Sequence, residues 1–185
     1  MKNNLPASCA RCELLYPGVA EIPRLDCPEL RHRLGLSDHK FTVAVFGRIE
    51  HDKGHHVLVN AMKQLLTQGV EPQGFINDTM VSMPCFDVVV LPTYNEAFGL
   101  ALIEAMNAGA AVIGAKVGGV PEIMHHGHNG LLFEPGEAQG LASLITSLVR
   151  DPHLRKRLVE NGKQTVRKKF NEDEHYRRLN RLFDT

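Results

Sequence analysis

Arg48 and Lys53 stand in one short segment, Gly47-Arg48-Ile49-Glu50-His51-Asp52-Lys53-Gly54, directly after an apolar run. Two cations in a loop that leads into a helix make an anion site, because the free backbone N–H groups of the first helical turn point the same way. Arginine grips phosphate oxygens bidentately, and lysine acts as a compact point charge. The same residues also suit a solvated loop with a turn glycine. A second segment runs Pro92-Thr93-Tyr94-Asn95-Glu96-Ala97-Phe98-Gly99 and then into Leu100-Ala101-Leu102-Ile103-Glu104-Ala105-Met106. Glu96 stands where that helix opens, so it suits either a ligand hydroxyl or the helix dipole. Glu104 is enclosed by apolar neighbours, and Leu100 and Ala108 at i−4 and i+4 supply no cation. A buried carboxylate with no partner is costly. It needs a tertiary cation such as Lys116, a backbone donor or a ligand hydroxyl. Gly118-Gly119 either lets backbone approach a ligand closely or makes a tight turn.

Other candidate chemistry is weaker. The histidines cluster at His51, His55, His56 and at His125, His126, His128, but no nearby carboxylate or cysteine completes a metal site, and solvated loop positions account for them. Cys9 and Cys12 form a CxxC without a second pair. Zinc or a redox couple is thus disfavoured against free thiols at Cys9, Cys12, Cys27 and Cys85. No GxGxxG and no nucleophile elbow occur, which argues against dinucleotide and serine-hydrolase chemistry.

The elements that must carry these residues follow from periodicity. The apolar runs Phe41–Phe46, Phe86–Leu91, Ala110–Gly114 and Leu131–Phe133 read as buried strands. Between them lie helical stripes at 54–66, 98–107 and 120–124, a brief helix capped by Asn77 or Asp78 and ending at Met83, and a short helix at 28–34 with Pro28 at its start. Three amphipathic helices follow, at 140–149, 153–169 and 173–183. Glu13-Leu14-Leu15-Tyr16 reads as a short strand in a proline-rich lead-in, residues 1–28. Apolar strands alternating with helices predict an α/β fold, a parallel sheet covered on both faces. Ligands of such sheets sit at the carboxyl ends of strands, at the point where strand order switches. That directs attention to the loops after Phe46 and Leu91.

Length and charge agree with one globular unit, residues 29–185. The chain has 185 residues, 43% of them hydrophobic, and equal numbers of acidic and basic side chains, so neither a nucleic-acid groove nor a polybasic anchor is expected. No run is long enough to span a membrane, and Met1-Lys2-Asn3-Asn4-Leu5-Pro6 lacks a signal-peptide core. A cytoplasmic protein is expected, with at most peripheral membrane contact.

From about Leu14 to Phe183 the chain resembles the C-terminal, donor-binding domain of family 4 (group 1) retaining glycosyltransferases of the GT-B fold. Gly47-Arg48 through Lys53-Gly54 matches that family's Gly-Arg-(four residues)-Lys-Gly. Pro92-Thr93, Glu96, Phe98-Gly99 and Glu104 match its E-x7-E motif, and Met106 and Gly109 extend it. Gly118-Gly119 with Glu122, and Asn129-Gly130-Leu131-Leu132, fit the stretch beyond. Tyr16-Pro17-Gly18-Val19 is similar to the family's interdomain Pro-Asn-Gly-Val.

The resemblance implies a Rossmann-like domain for a nucleotide sugar such as a UDP-, GDP- or ADP-hexose, with retention of configuration and no metal or other cofactor. It implies that Arg48 and Lys53 bind the diphosphate, that Glu96 holds the donor sugar, and that Glu104 holds the ribose hydroxyls. Gly47, Gly118, Gly119 and the amides of Phe98, Gly99 and Leu100 complete the donor site. It also implies two departures. The acceptor-binding N-terminal domain lies outside this chain, and a βαβ stretch is missing between Leu66 and Gly74, which shortens the sheet. Activity of the chain by itself is then doubtful. The alternative is a non-catalytic partner subunit for a separate acceptor-binding domain, docking through the last helix with Arg177, Arg178 and Arg181.

Overall fold

A computed structural model describes residues 15–20, 27–37, 40–66 and 82–183. The Cys9–Cys12 pair, the break at Gly69–Gly74 and the cap at Asn77 or Asp78 lie outside these residues.

Four strands form one parallel sheet: β1 (Val43–Val45), β2 (Val88–Leu91), β3 (Ala111–Ala115) and β4 (Leu131–Phe133). Their order across the sheet is β1-β2-β3-β4, so chain order and spatial order agree. The expected reversal of strand order is therefore not found among the described strands. The helices are α1 (Cys27–Arg33), α2 (His55–Leu66), α3 (Leu100–Ala108), α4 (Val120–Ile123), α5 (Ala138–Arg150), α6 (Pro152–Lys169) and α7 (Glu172–Phe183), with 3-10 turns at His51–Lys53 and Met83–Cys85.

Side chains that alternate along a strand sort onto opposite faces. Val88, Val90, Ala111, Ile113, Ala115, Leu131 and Phe133 pack with Val57, Leu58, Ala61 and Leu65 of α2 and with Leu141, Ile145 and Leu148 of α5. Val89, Leu91 and Val112 turn the other way, onto Leu102, Ile103 and Met106 of α3 and Val120 and Ile123 of α4. Helix α6 gives Leu158 to the first layer and Val166 to the second. Leu102, Ile103, Ala105 and Met106 are at most 1% exposed. Burial of each large side chain among them contributes about 1.5–3 kcal/mol, which anchors α3, the helix that carries Glu104.

Two expectations need correction. Helix α3 starts at Leu100 rather than Phe98, because Gly99 takes the left-handed conformation (φ 98°) and interrupts the helical backbone there. Leu15 and Tyr16 are not in a strand. The lead-in instead touches the body at Val19, which makes a single parallel bridge to Asn171 and donates its N–H to the Phe170 carbonyl at 2.9 Å. Of the brief helix expected to end at Met83, Ser82 is helical and leads into the 3-10 turn Met83–Cys85, and the rest lies outside the described residues.

The amino ends of β1 and β2 are closed by polar bonds. Thr42 donates its N–H and hydroxyl to Asp87 Oδ2, both at 2.9 Å, and Arg31 of α1 donates to the Cys85 carbonyl at 2.7 Å. Cys27 and Cys85 are free thiols, and burial with the adjacent Cys27 pushes the Cys85 thiol up to about 12. The opposite, carboxyl ends of β1 and β2 carry the candidate site. No described helix is long and apolar enough to cross a membrane.

Candidate functional site

Parallel pairing of Val45 with Val90 sets the loop after β1 beside the loop after β2. The two are laced together through backbone. Tyr94 donates its N–H to the Asp52 carbonyl at 2.7 Å, and the buried Thr93 hydroxyl lies 2.9 Å from that same oxygen and 2.8 Å from the Asn95 carbonyl. Gly54 is required by this contact. A Cβ there would fall 1.9 Å from the Pro92 carbonyl oxygen, and its φ of 67° favours glycine in any case.

The lacing brings Lys53 and Glu96 together. Lys53 Nζ lies 3.5 Å from Glu96 Oε2, and the two side chains are only 23% and 19% exposed. The other carboxylate oxygen of Glu96 accepts the Phe98 N–H at 3.5 Å. The Phe98 amide is thus directed at the Glu96 carboxylate. Gly118 and Gly119 back the same loop: a Cβ on Gly118 would sit 1.7 Å from the Glu96 carbonyl oxygen, and one on Gly119 2.5 Å from that of Ala97. Their close approach is to this loop.

Arg48 stays apart. Its side chain is 77% exposed and pairs with Glu50 at 2.7 Å. Gly47, with φ 148°, turns the chain just before it.

Glu104 is half-buried, on the open stripe of α3 with exposed Leu100 and with Asn107, whose amide donates to the Ala20 carbonyl at 2.8 Å. It is less enclosed than its sequence neighbours suggest. It makes no hydrogen bond or ion pair with any described residue, and burial alone raises its pKa. Lys116, the expected structural partner, pairs with Glu134 at 3.5 Å instead. The structure brings together Lys53, Glu96, Phe98, Gly118 and Gly119, and among the described residues no hydrogen bond or ion pair joins Arg48 or Glu104 to the Lys53–Glu96 pair.

Sequence reasoning missed two aromatic groups. His51, His56 and Tyr94 stack at the mouth with ring centroids 4.7–5.9 Å apart, and His56 Nε2 lies 3.1 Å from the Tyr94 hydroxyl. The i, i+5 spacing of the histidines across the loop–helix junction was the available signal. Tyr16 stacks on Phe98 at 5.6 Å and meets Phe170 edge-on at 5.7 Å, while its hydroxyl donates to Glu122 at 3.3 Å. Burial, the Glu122 charge and that bond together raise the Tyr16 pKa. The second histidine cluster is partly structural: His126 Nδ1 accepts the Leu132 N–H at 3.0 Å. Asn129 is buried, accepts the His125 N–H at 2.7 Å and donates to the Ile123 carbonyl at 3.0 Å and to Thr165 at 3.2 Å. Among the described residues no group of three or more metal-ligating side chains is assembled.

Comparison with known proteins places the fold. The profile of "Glycosyl transferases group 1" matches residues 69–165, just over half of the chain. N-acetyl-alpha-D-glucosaminyl L-malate synthase of Bacillus anthracis is 38% identical over 84 residues, covering 45% of this chain and 22% of that protein. The structure of Anabaena HepE in complex with UDP-glucose is similar with a TM-score of 0.81 at 25% identity, over 93% of this chain and 57% of that one. The C-terminal domain of the group 1 glycosyl transferase LpcC from Francisella tularensis is similar with a TM-score of 0.65 at 26% identity, over 85% of this chain and 96% of that domain. The chain spans about half or less of the length of curated relatives it matches. A parallel α/β sheet of the GT-B type and a profile match over half its length establish that the chain belongs to the glycosyltransferase group 1 family.

Proposed function

We propose that residues 29–185 form the donor domain of a glycosyltransferase, with residues 1–28 as its interdomain linker. This domain holds a nucleotide sugar such as a UDP-, GDP- or ADP-hexose and supports transfer of the sugar with retention and without a metal ion. A separate N-terminal domain would bind the acceptor. The observation that carries the reading is the sheltered Lys53–Glu96 pair, delivered by the loops of adjacent parallel strands. Neighbouring free thiols at Cys27 and Cys85 support a cytoplasmic location.

The chemistry follows from charge. Cleavage between the anomeric carbon and the phosphate oxygen builds negative charge on the leaving diphosphate. In this reading Lys53 meets that charge and releases Glu96, which then accepts hydrogen bonds from the donor sugar's hydroxyls. Arg48, exposed and paired with Glu50, swings to a second phosphate oxygen. The amides of Gly99 and Leu100 add the dipole of α3. One such preorganised donor is typically worth roughly 10²–10³ in rate. Glu104 takes the ribose hydroxyls.

Thermal unfolding against UDP-, GDP- and ADP-glucose tests this. A ligand at a hundred times its Kd stabilises the folded form by about 2.7 kcal/mol, roughly 5–11 °C for a chain of this size. One nucleotide sugar should give such a rise, and Lys53→Ala should abolish it. UDP-glucose is the first to try, since HepE binds it. No rise with any of the three would overturn the reading.

A further inference from the structure

The segment Asn95–Gly99, which carries Glu96, lies between β2 and α3 outside any helix or strand. Its first half is tied through polar bonds. The Thr93 hydroxyl meets the Asn95 carbonyl at 2.8 Å, and the Gly119 N–H donates to the Glu96 carbonyl at 3.3 Å. Its second half is seated by a ring. Ala97 is exposed and Gly99 turns left-handed, while Phe98 is half-buried and packs against the core. The Phe98 ring stacks on Tyr16 of the lead-in, with centroids 5.6 Å and planes 21° apart. Phe170 meets the two rings edge-on, at 5.7 Å from Tyr16 and 6.0 Å from Phe98. Stacked and edge-to-face contacts are the arrangements that ring quadrupoles favour.

Tyr16 can hold Phe98 because it is itself held at both ends. Its hydroxyl donates to Glu122 Oε2 of α4 at 3.3 Å, which fixes the rotation of the ring. Its carbonyl accepts from His175 Nδ1 of α7 at 2.8 Å. Two residues on, Gly18 lies so near α7 that a Cβ would meet Glu172 Cα at 2.5 Å, and Val19 donates to the Phe170 carbonyl at 2.9 Å. Phe170 is 1% exposed, so the third ring belongs to the core. From Phe98 to the carboxylate the path is short. The Phe98 N–H is directed at Glu96 Oε1 at 3.5 Å, and Lys53 meets Glu96 Oε2 at 3.5 Å. A Phe98 ring that leaves its seat takes that N–H with it and frees one side of the carboxylate.

We propose, resting on the donor reading above in which Glu96 takes the sugar hydroxyls, that Tyr16 is a positioning residue for the donor sugar: stacked on Phe98, it sets the Glu96 carboxylate. Loss of the stack then weakens recognition of the sugar and spares that of the nucleotide. Lys53, on the phosphate side, is placed by the other loop, which is laced to β2 through the Asp52 carbonyl.

Calorimetry on the full chain with UDP, GDP and ADP and with their glucose conjugates tests this. Tyr16→Leu keeps apolar bulk without a ring. It should weaken the bound nucleotide sugar about tenfold and its nucleotide less than about twofold. Tyr16→Phe keeps the stack, loses only the Glu122 bond, and should recover most of the sugar affinity. The Gly119 amide, bonded to the Glu96 carbonyl, reports the loop without any ligand. Its hydrogen exchange, followed by NMR, should speed up roughly tenfold in Tyr16→Leu and stay near the wild-type rate in Tyr16→Phe. Urea unfolding checks that the variants fold, and Tyr16→Met takes the place of leucine if that one does not, with the same results expected. Equal losses for nucleotide and nucleotide sugar, or Gly119 exchange unchanged by loss of the ring, would overturn the proposal. Faster Gly119 exchange in a protein whose wild type binds none of the six ligands would refute the donor reading and leave the hold of Tyr16 on the loop standing.

Discussion

Replacing Glu104 by glutamine should move stability and affinity in opposite directions. The folded protein holds this carboxyl half-buried with no partner, and burial raises its pKa above the ordinary 4.5. The folded state therefore binds more protons than the unfolded state between 4.5 and the raised value. Stability falls as pH rises through that window. Glutamine has the same shape and no charge, so it removes this loss. Water on the open side of α3 screens the carboxylate, so the gain is small and is read as a modest rise in Tm. Two hydrogen bonds from ribose hydroxyls to a carboxylate become at best bonds to a neutral amide. Hydrogen bonds to charged groups are worth about 1.5–3 kcal/mol, so affinity should fall roughly 10- to 150-fold. The assays are thermal unfolding from pH 4 to pH 8 and calorimetry with UDP, GDP and ADP in turn. A variant that melts lower than the wild type at pH 7 and binds equally well would show Glu104 to be a structural residue, and the assignment would fail.

Two further substitutions test the scaffold beneath the site. Gly118→Ala places a methyl 1.7 Å from the Glu96 carbonyl, at φ 48° where side chains are strained, so Glu96 must retreat by more than 1 Å. Nucleotide-sugar affinity should drop about 100-fold by calorimetry while the far-UV spectrum is kept. Asn129→Ala leaves the His125 N–H and the Ile123 carbonyl without the side chain that joins them, and should cost about 2–4 kcal/mol in urea unfolding with no donor-specific effect on residual affinity.

The layers of the fold were legible because each buried strand is a continuous apolar run and each helix keeps its stripe. Strand order was not, since nothing local in Val43–Val45 records which neighbour it pairs with. The start of α3 was misplaced because the pattern Phe98, Leu102, Ala105 continues through Gly99, whereas the backbone turns left-handed there. Lys53 and Glu96 could be read as neighbours because each follows a strand, and adjacent parallel strands leave their loops little freedom. The position of Arg48 could not be read: a long side chain on an exposed loop takes whichever carboxylate is nearest, here Glu50. Tyr16, Phe98 and Phe170 are far apart in the chain, and no periodicity joins them.

Packing explains some of the motif residues and not others, and the division is informative. Gly54, Thr93, Gly118 and Asn129 each satisfy a backbone approach or a buried hydrogen bond that the fold itself creates. Any protein with this sheet and these loops would need them. Arg48 and Glu104 satisfy nothing of the kind. One holds only a local, solvated ion pair, and the other is a partly desolvated acid with no described partner, which costs stability. Under the proposed donor reading, the nucleotide sugar supplies the partners that these two residues lack. Lys53 and Glu96 lie between the two cases, since their pair is sheltered enough to hold an empty loop and loose enough, at 3.5 Å, to be displaced by a stronger anion.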